Sequence, residues 1–539
     1  MIDIQKHFPA NFKPTEQQTD TIKKIADAFK THKFVICCAP TGTGKSFLAK
    51  TIANSSSDCT EEFKHLITSY KAYSINGGEY VHEEKCLEQG SSNSAALTMT
   101  KQLQDQYQEL FTDALTLKGK NNYVCSVDED KSVDIAPCIL LDKLKKDCWT
   151  KNICPYYNAR NDALLAKFAV YNYKMFLCLP DHVKQKDFLI CDEAAELEDE
   201  LVHNFSVDIR NKTLKSLLGR VYDVDVNNNS SVYRYINVLI PTIHDVVEEL
   251  GRKNLNKKTK QNQNELQKLI IARNLHSQLE NIQRNWSNCE YVAEETKNGI
   301  VISPLRVNNL ANQLFDCAKK VLLMSATIID PAKFAESLGI TEYKYIEVPS
   351  EFDPKKAPIV VSSKYKMNKK NWETIIPIFK QTIIDICKRH PNEKGIIHTH
   401  NMDITNYLKT NLRGDRFLFR EDGIDNQNIL NTHSSNTSNT VLVSPSMTHG
   451  VDLKDDLARF QIIVKAPFLP LNNKRIKKLF TQDGQWYVNK MLTTIIQASG
   501  RGIRSRDDYC TTYILDGNIA QSIVDNASKL PKYFLKRFL

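Results

Sequence analysis

The sequence predicts an α/β chain built around two parallel-sheet units, and three observations carry the prediction. Residues 34–40, FVICCAP, form a short apolar run that leads through the glycine turn Thr41-Gly42-Thr43-Gly44 into the helix-forming FLAKTIA. Residues 187–193, DFLICDE, are a second apolar run, ending in two carboxylates. Beyond about residue 345, the runs GIIHTH, NTVLVSPS, FQIIVKAPF and CTTYILD alternate with helical stretches. Short apolar runs between helices mark buried parallel strands, and their placement divides the chain into two such units.

At 539 residues the chain is too long for one compact core, so about two to four domains are expected. Charged residues make up 25% and hydrophobic residues 41%, the balance of an ordinary globular protein. No apolar run approaches the ~18–20 residues of a membrane span, and the opening MIDIQKHFPANFK has no stretch of signal-peptide type. An intracellular location with reduced thiols is expected. The 14 cysteines are therefore read as buried, metal-binding or catalytic rather than as disulfides. A formal charge of +9, from 72 basic and 63 acidic residues, permits a nucleic-acid partner without requiring one.

The first strand, turn and helix have a chemical meaning. The glycines let backbone N–H groups turn inward, and the helix N-terminus adds partial positive charge at the same point, which makes a phosphate cradle. Thr41, Gly42, Thr43, Gly44, Lys45 and Ser46 are the expected ATP-binding residues. Lys45 would reach the β and γ phosphates, and the Ser46 hydroxyl would hold Mg²⁺. Ala39 stands where the strict pattern has its first glycine. In a nucleotide-hydrolysing core the strand ending in Asp192-Glu193 lies beside that loop. Asp192 would hold Mg²⁺ through water, and Glu193 would orient and deprotonate the attacking water.

With those residues in place, the chain resembles a superfamily 2 helicase. CDEAAEL resembles the DEAH box, with Ala195 at the histidine position. VLLMSAT, ending in Ser325-Ala326-Thr327, resembles the third motif, which couples hydrolysis to strand movement. SPSMTHGVDL, with Gly450 and Asp452, resembles the fifth, and His449 stands where glutamate is common. QASGRGIR resembles the sixth, Q-x-x-G-R-x-x-R, and implies that Gln497, Arg501 and Arg504 complete the ATP site from the second domain. FKPTEQQTDTI resembles the adenine-reading segment, with Gln17 or Gln18 as the base contact. LTMTKQLQDQY resembles the segment that touches the DNA backbone and implies contacts from Thr100, Lys101 and Gln102. Arginines that reach across a cleft make hydrolysis depend on domain closure, as a motor requires.

Residues 122–160 gather four cysteines, Cys125, Cys138, Cys148 and Cys154, with 12, nine and five residues between them. In a reducing compartment such a group suits an iron–sulfur cluster, zinc or plain buried thiols. The XPD/DinG branch of superfamily 2 carries an iron–sulfur domain inserted here. KGKNNYVC before the first cysteine, CPYYNAR after the last and VYNYKMFL beyond resemble that branch. The resemblance implies a 4Fe–4S cluster on the four cysteines. It would staple a small domain that acts as a wedge where duplex splits, with DNA contacts from Tyr156 and Arg160. Lys143, Lys145, Lys146 and Lys151, around Cys148 and Trp149, suit a single-strand track or a solvated basic face. Cys37, Cys38 and Cys191 lie in apolar runs as small hydrophobes. Cys59 and Cys86 flank a polar loop insertion at about 55–95.

From about 205 to 300 the chain is polar and helical. Leu266, Leu269, Ala272, Leu275, Leu279 and Ile282 recur every three or four positions and give one apolar helix face. GRKNLNKKTKQNQN, residues 251–264, links two long helices. The XPD/DinG branch has its arch domain at this site. The implied architecture is α/β, with two RecA-like parallel-sheet motor domains, an inserted iron–sulfur domain and a helical arch-like insertion. Motor domain 1 takes 1–117, 161–204 and 301–345, the iron–sulfur domain 118–160, the arch 205–300 and motor domain 2 346–539. The implied activity is that of an ATP-dependent DNA helicase, moving 5′→3′ on single-stranded DNA and opening forked duplexes, with ATP, Mg²⁺ and the cluster. A translocase or RNA remodeller without unwinding, and a nucleic-acid-binding scaffold with an inactive ATPase, are the alternatives. The closing KLPKYFLKRFL reads as a docking helix or a DNA contact. Frequent lysine, asparagine and isoleucine are compatible with an AT-rich phage or viral genome.

Overall fold

The computed structural model describes residues 4–55, 94–136, 138, 144–145, 147–148, 151–179, 184–252, 260–419, 426–445, 455–503 and 508–539, with the backbone of 70–72 and 83–85. Gly450, Asp452, Arg504, Lys143, Lys146, Trp149, Cys59, Cys86 and much of the 55–95 and 251–264 segments lie outside the described residues.

Seven parallel strands form the first sheet, in the order Tyr343–Glu347, Phe34–Cys38, Ala318–Ser325, Lys186–Cys191, Ser94–Thr98, Phe168–Asn172, Leu115–Leu117. Val35, Ile36, Cys37 and Cys38 are inaccessible, which is why their run shows no polar alternation. The register brings the strand ends level. Cys38 pairs with Ser325 and with Glu347, and Cys191 pairs with Leu323 and with Leu97. The turns leaving these strands thus meet at the carboxyl edge, where doubly wound sheets collect ligands.

The second sheet has six parallel strands, ordered Ile359–Val361, Thr511–Ile514, Phe460–Ile463, Gly395–His398, Val441–Ser444, Phe417–Phe419. Ile376, Phe379 and Ile383 of the helix Trp372–Arg389 cover it, packed on Ile397, Val443 and Ile462. The chain therefore folds as two RecA-like α/β domains.

Between the strands of the first domain, the helices Asn229–Arg252 and Lys260–Asn285 pack along each other. Leu269, Ala272, Leu275, Leu279 and Ile282 are buried, most of them against Ile236, Leu239 and Ile243. The expectation of a wholly helical segment needs correction. Val207–Arg210, Tyr291–Thr296 and Gly299–Pro304 form a three-stranded antiparallel sheet beneath the hairpin. Its sequence signal is the two-residue turn Lys297-Asn298, followed by Gly299, between two short runs, which the long helical periodicity overshadows. Among the described residues, no helix is long and apolar enough to cross a membrane.

Candidate ATP site and thiol cavity

The phosphate loop is held at both ends. The Ala39 amide donates to the Ser325 carbonyl at 2.9 Å, and Lys45 opens the helix Lys45–Asn54. Gly42 and Gly44 have φ of +84° and +76°, where only glycine sits without strain. A Cβ would also fall 2.2 Å from Phe352 Cζ at Gly42, and 2.4 Å from Gln18 Nε2 at Gly44. Lys45 Nζ lies 3.7 Å from Glu193 Oε1.

Asp192 is buried. Its Oδ1 accepts from the Glu193 amide at 3.0 Å, and its Oδ2 accepts from the Tyr107 hydroxyl at 3.1 Å. Burial and the neighbouring Glu193 push its carboxyl up to about 6, with Lys45 opposing them. Glu193 has φ +53°, an uncommon conformation for a residue with a side chain and one that clusters at functional turns. Tyr107 also hydrogen-bonds Ser46, so it braces both residues expected to hold Mg²⁺. The sequence reading missed that role, and no local pattern around Tyr107 announces it.

The two glutamines before the loop differ. Gln18 is committed: it completes a capping box with Thr15, and its Nε2 donates to the Thr43 carbonyl at 3.2 Å. Gln17 donates to the Pro349 carbonyl, while its own buried Oε1 has no partner.

The second domain reaches the same edge through the helix Gly484–Ser499. Gln497 Nε2 donates to Glu196 Oε1 at 2.6 Å. A Cβ on Gly500 would lie 3.9 Å from Thr41 Oγ1, so the turn carrying Arg501 stands beside the phosphate loop. Thr41, Thr100, Gln102, Glu193, Gln497 and Arg501 line one cleft of about 520 Å³. In the third-motif turn, the Thr327 amide donates to Ser325 Oγ at 3.3 Å, and Ala326 lines the cleft. Thr100 Oγ1 caps its helix by accepting from the Leu103 amide at 3.2 Å, and Lys101 Nζ donates to Asn122 Oδ1 at 2.7 Å.

The other end of the same helix is anchored by a buried charge cluster. Trp486 Nε1 donates to Glu198 at 2.9 and 3.0 Å, Lys490 Nζ lies 3.0 Å from it and Arg475 Nη2 3.8 Å. Burial works against the Glu198 charge, but Lys490, Trp486 and Arg475 together hold its carboxyl below the usual range. Glu198→Ala leaves the buried Arg475 without its carboxylate and Lys490 with Asp199 alone, and is expected to cost about 3 kcal/mol. Denaturant unfolding measures it, and an unshifted midpoint would contradict this account of the cluster.

In the 125–154 segment, Cys125, Cys148 and Cys154 are buried and Cys138 is half-buried. All four line one small cavity, together with Val133 and Ala136. Burial and then the other three thiols push the Cys138 thiol up, against a pull from Lys120. Among the described residues, no three His, Cys, Asp or Glu side chains are grouped to hold a single metal ion; the thiols share a cavity rather than one coordination point. Lys120, a residue the sequence reading did not single out, stands 5.4 Å over the Tyr156 ring and 6.0 Å from that of Tyr157. The expected DNA contact at Tyr156 meets a buried side chain: the residue is 4% exposed and its ring packs edge-on against Tyr123 and Tyr157. Tyr157 and Arg160, 5.0 Å apart in a cation–π pair, are only partly covered.

Residues 68–214 match the family model DEAD_2, and residues 383–536 match the helicase C-terminal domain. A solved structure described as an XPD helicase aligns over 98% of this chain and 99% of its own, with a TM-score of 0.64 and 16% identity. Xpd4 of S. tokodaii aligns over 95% of this chain and 97% of its own, with a TM-score of 0.56 and 14% identity. No curated protein matches the sequence. Two RecA-like domains with a phosphate loop on one lip of their cleft and an arginine turn on the other make this a superfamily 2 helicase. Within that superfamily, the chain belongs to the XPD/DinG-like group.

Proposed function

We propose that the chain is an ATP-driven DNA helicase that moves 5′→3′ along one strand and opens forked duplex. The observation that carries this reading is the meeting of Lys45, Glu193, Gln497 and the Gly500–Arg501 turn at one cleft between two domains. Lys45 and the turn's backbone amides bind the triphosphate. Ser46 and Asp192, both braced by Tyr107, are placed to hold Mg²⁺, which would neutralise charge developing on the phosphates. A bound cation would oppose the burial and the Glu193 charge that raise the Asp192 carboxyl. Glu193 orients the attacking water and takes its proton. Gln17, with its unpartnered carbonyl, is the better acceptor for an adenine amino group than the committed Gln18. Arg501, with Arg504, completes the site on closure, and Gly450 and Asp452 belong to the same nucleotide set. Ser325, Ala326 and Thr327 pass closure and reopening to the strand, which Thr100, Lys101, Gln102 and Arg160 contact.

The donor set at Cys125, Cys138, Cys148 and Cys154 fits an iron–sulfur cluster. Burial and the neighbouring thiols raise the Cys138 and Cys148 thiols, and a cationic core would remove that cost. The cluster supplies a covalent staple for a small domain with little core of its own, the wedge of this reading. Protein purified without air is expected to carry about four irons and four acid-labile sulfides per chain. Serine at Cys125 and Cys148 should remove them, with duplex opening lost before strand-stimulated ATPase; one zinc or no metal in the unaltered chain would sink the cluster.

Strand displacement on forks with a 5′ or a 3′ single-stranded tail tests the main reading. ATP-dependent opening of the 5′-tailed fork is the expected result. Strand-stimulated ATPase without any opening would favour a translocase, and no ATPase a scaffold.

A further inference from the structure

The last helix of the chain, Lys532–Leu535, and the residues after it run through the cleft itself. The Tyr533 hydroxyl donates to the Ala326 carbonyl at 2.6 Å, crossing from the second domain to the Ser325–Thr327 turn of the first. One residue earlier, the Lys532 amide donates to Glu347 Oε1 at 2.7 Å, on the last strand of the first sheet. Phe534 is inaccessible, packed with Ile495 and Ile496 of the helix that leads to Arg501.

Arg537 then fixes the other side. It is buried. Its Nε donates to the Ala357 carbonyl at 2.7 Å, in the stretch joining the two domains. Its guanidinium also donates to the Ser499 carbonyl at 2.9 Å and to Ser499 Oγ at 3.2 Å. Ser499 is two residues before Arg501. The backbone completes the seat: the Ile359 amide donates to the Arg537 carbonyl at 2.7 Å. The five-residue segment from Tyr533 to Arg537 therefore touches the third-motif turn, the interdomain connection and the arginine turn.

We propose that this segment is a strut that ties the Ser325–Thr327 turn to the Gly500–Arg501 turn, with Tyr533 and Arg537 as positioning residues that couple strand binding to hydrolysis. The inference rests on the helicase reading above. A planar guanidinium forked onto two carbonyls and a hydroxyl holds the arginine turn in one orientation. The tyrosine bond is the part that crosses the cleft, so it must hold or break whenever the domains move. Neither side chain is needed to contact ATP or the strand. The strut's effect falls on the rate of the coupled step and not on ground-state binding.

Tyr533→Phe tests it, because the half-buried ring stays and one hydrogen bond goes. Strand-stimulated kcat is expected to fall about three- to tenfold, the worth of one such bond. KM for ATP and single-strand affinity should stay within about twofold, the pattern of an interaction that counts for more in the coupled step than in ground-state binding. Arg537→Lys keeps the charge and loses the fork, and should show the same kcat-only loss. Unchanged stimulated kcat in both variants would overturn the strut. So would equal losses in kcat, ATP binding and strand affinity together, since that is general damage. If the unaltered chain shows no strand-stimulated ATPase, the helicase reading itself falls, and this inference with it.

Discussion

Lys45→Ala is expected to lower strand-stimulated ATPase by at least about 10²–10³-fold, the usual cost of removing one preorganised charge at a reacting centre. The reason is geometric. Lys45 Nζ stands 3.7 Å from Glu193 Oε1, so one ammonium opens the helix after the phosphate loop and faces the proposed base. Without it, the triphosphate would lose a cation and Glu193 its ion-pair partner. Both ATP affinity and turnover should fall. Glu193→Gln separates the two roles: it keeps the shape and loses the proton acceptor. It is expected to bind ATP near normally and to turn over about 10²–10⁴-fold more slowly, the range of a lost general base. Nucleotide binding by fluorescence alongside steady-state ATPase reads both variants. Full stimulated ATPase in Lys45→Ala would mean that the catalytic site is elsewhere.

How far the sequence shows this site depends on how local each interaction is. The proposed phosphate loop is written in six consecutive residues, and Gly42 and Gly44 there have the positive φ that a glycine turn allows. The Asp192-Glu193 strand end was equally legible, because an apolar run must terminate somewhere and two carboxylates mark where. The partners of those residues were not legible. Tyr107 reaches Asp192 across 85 positions, and Tyr533 reaches Ala326 across 207; no periodicity encodes such pairings. Tyr156 failed for the opposite reason. The resemblance of CPYYNAR to the XPD/DinG branch implied a DNA contact there, yet the ring fills the small core under the cysteines, where apolar area is scarce. The antiparallel hairpin at 291–304 was hidden by the strong helical pattern just before it, and only the Lys297-Asn298 turn with Gly299 behind it marked the change. The choice between Gln17 and Gln18 needed coordinates too, since it turns on which amide the capping box has already used.

Arg501→Ala is expected to slow hydrolysis by about 10³–10⁵-fold, the worth of a cation supplied to the γ phosphate from a second domain. Unlike Lys45→Ala, it should leave ATP binding to the open cleft close to normal, because the phosphate loop belongs wholly to the first domain. The two variants thus separate binding from closure. Position supports the difference: Gly500 lies beside Thr41 of the loop, and Gln497 is already bonded to Glu196 across the cleft at 2.6 Å, so a small closing movement brings the arginine turn onto the phosphates. Arg501→Lys should recover little, since a point charge on a flexible stem does not reproduce the fork. Single-turnover hydrolysis with saturating ATP isolates the step. A normal rate in Arg501→Ala would mean that the second domain does not complete the site. Closure would then have no chemical consequence, and ATP no way to drive a strand through the cleft.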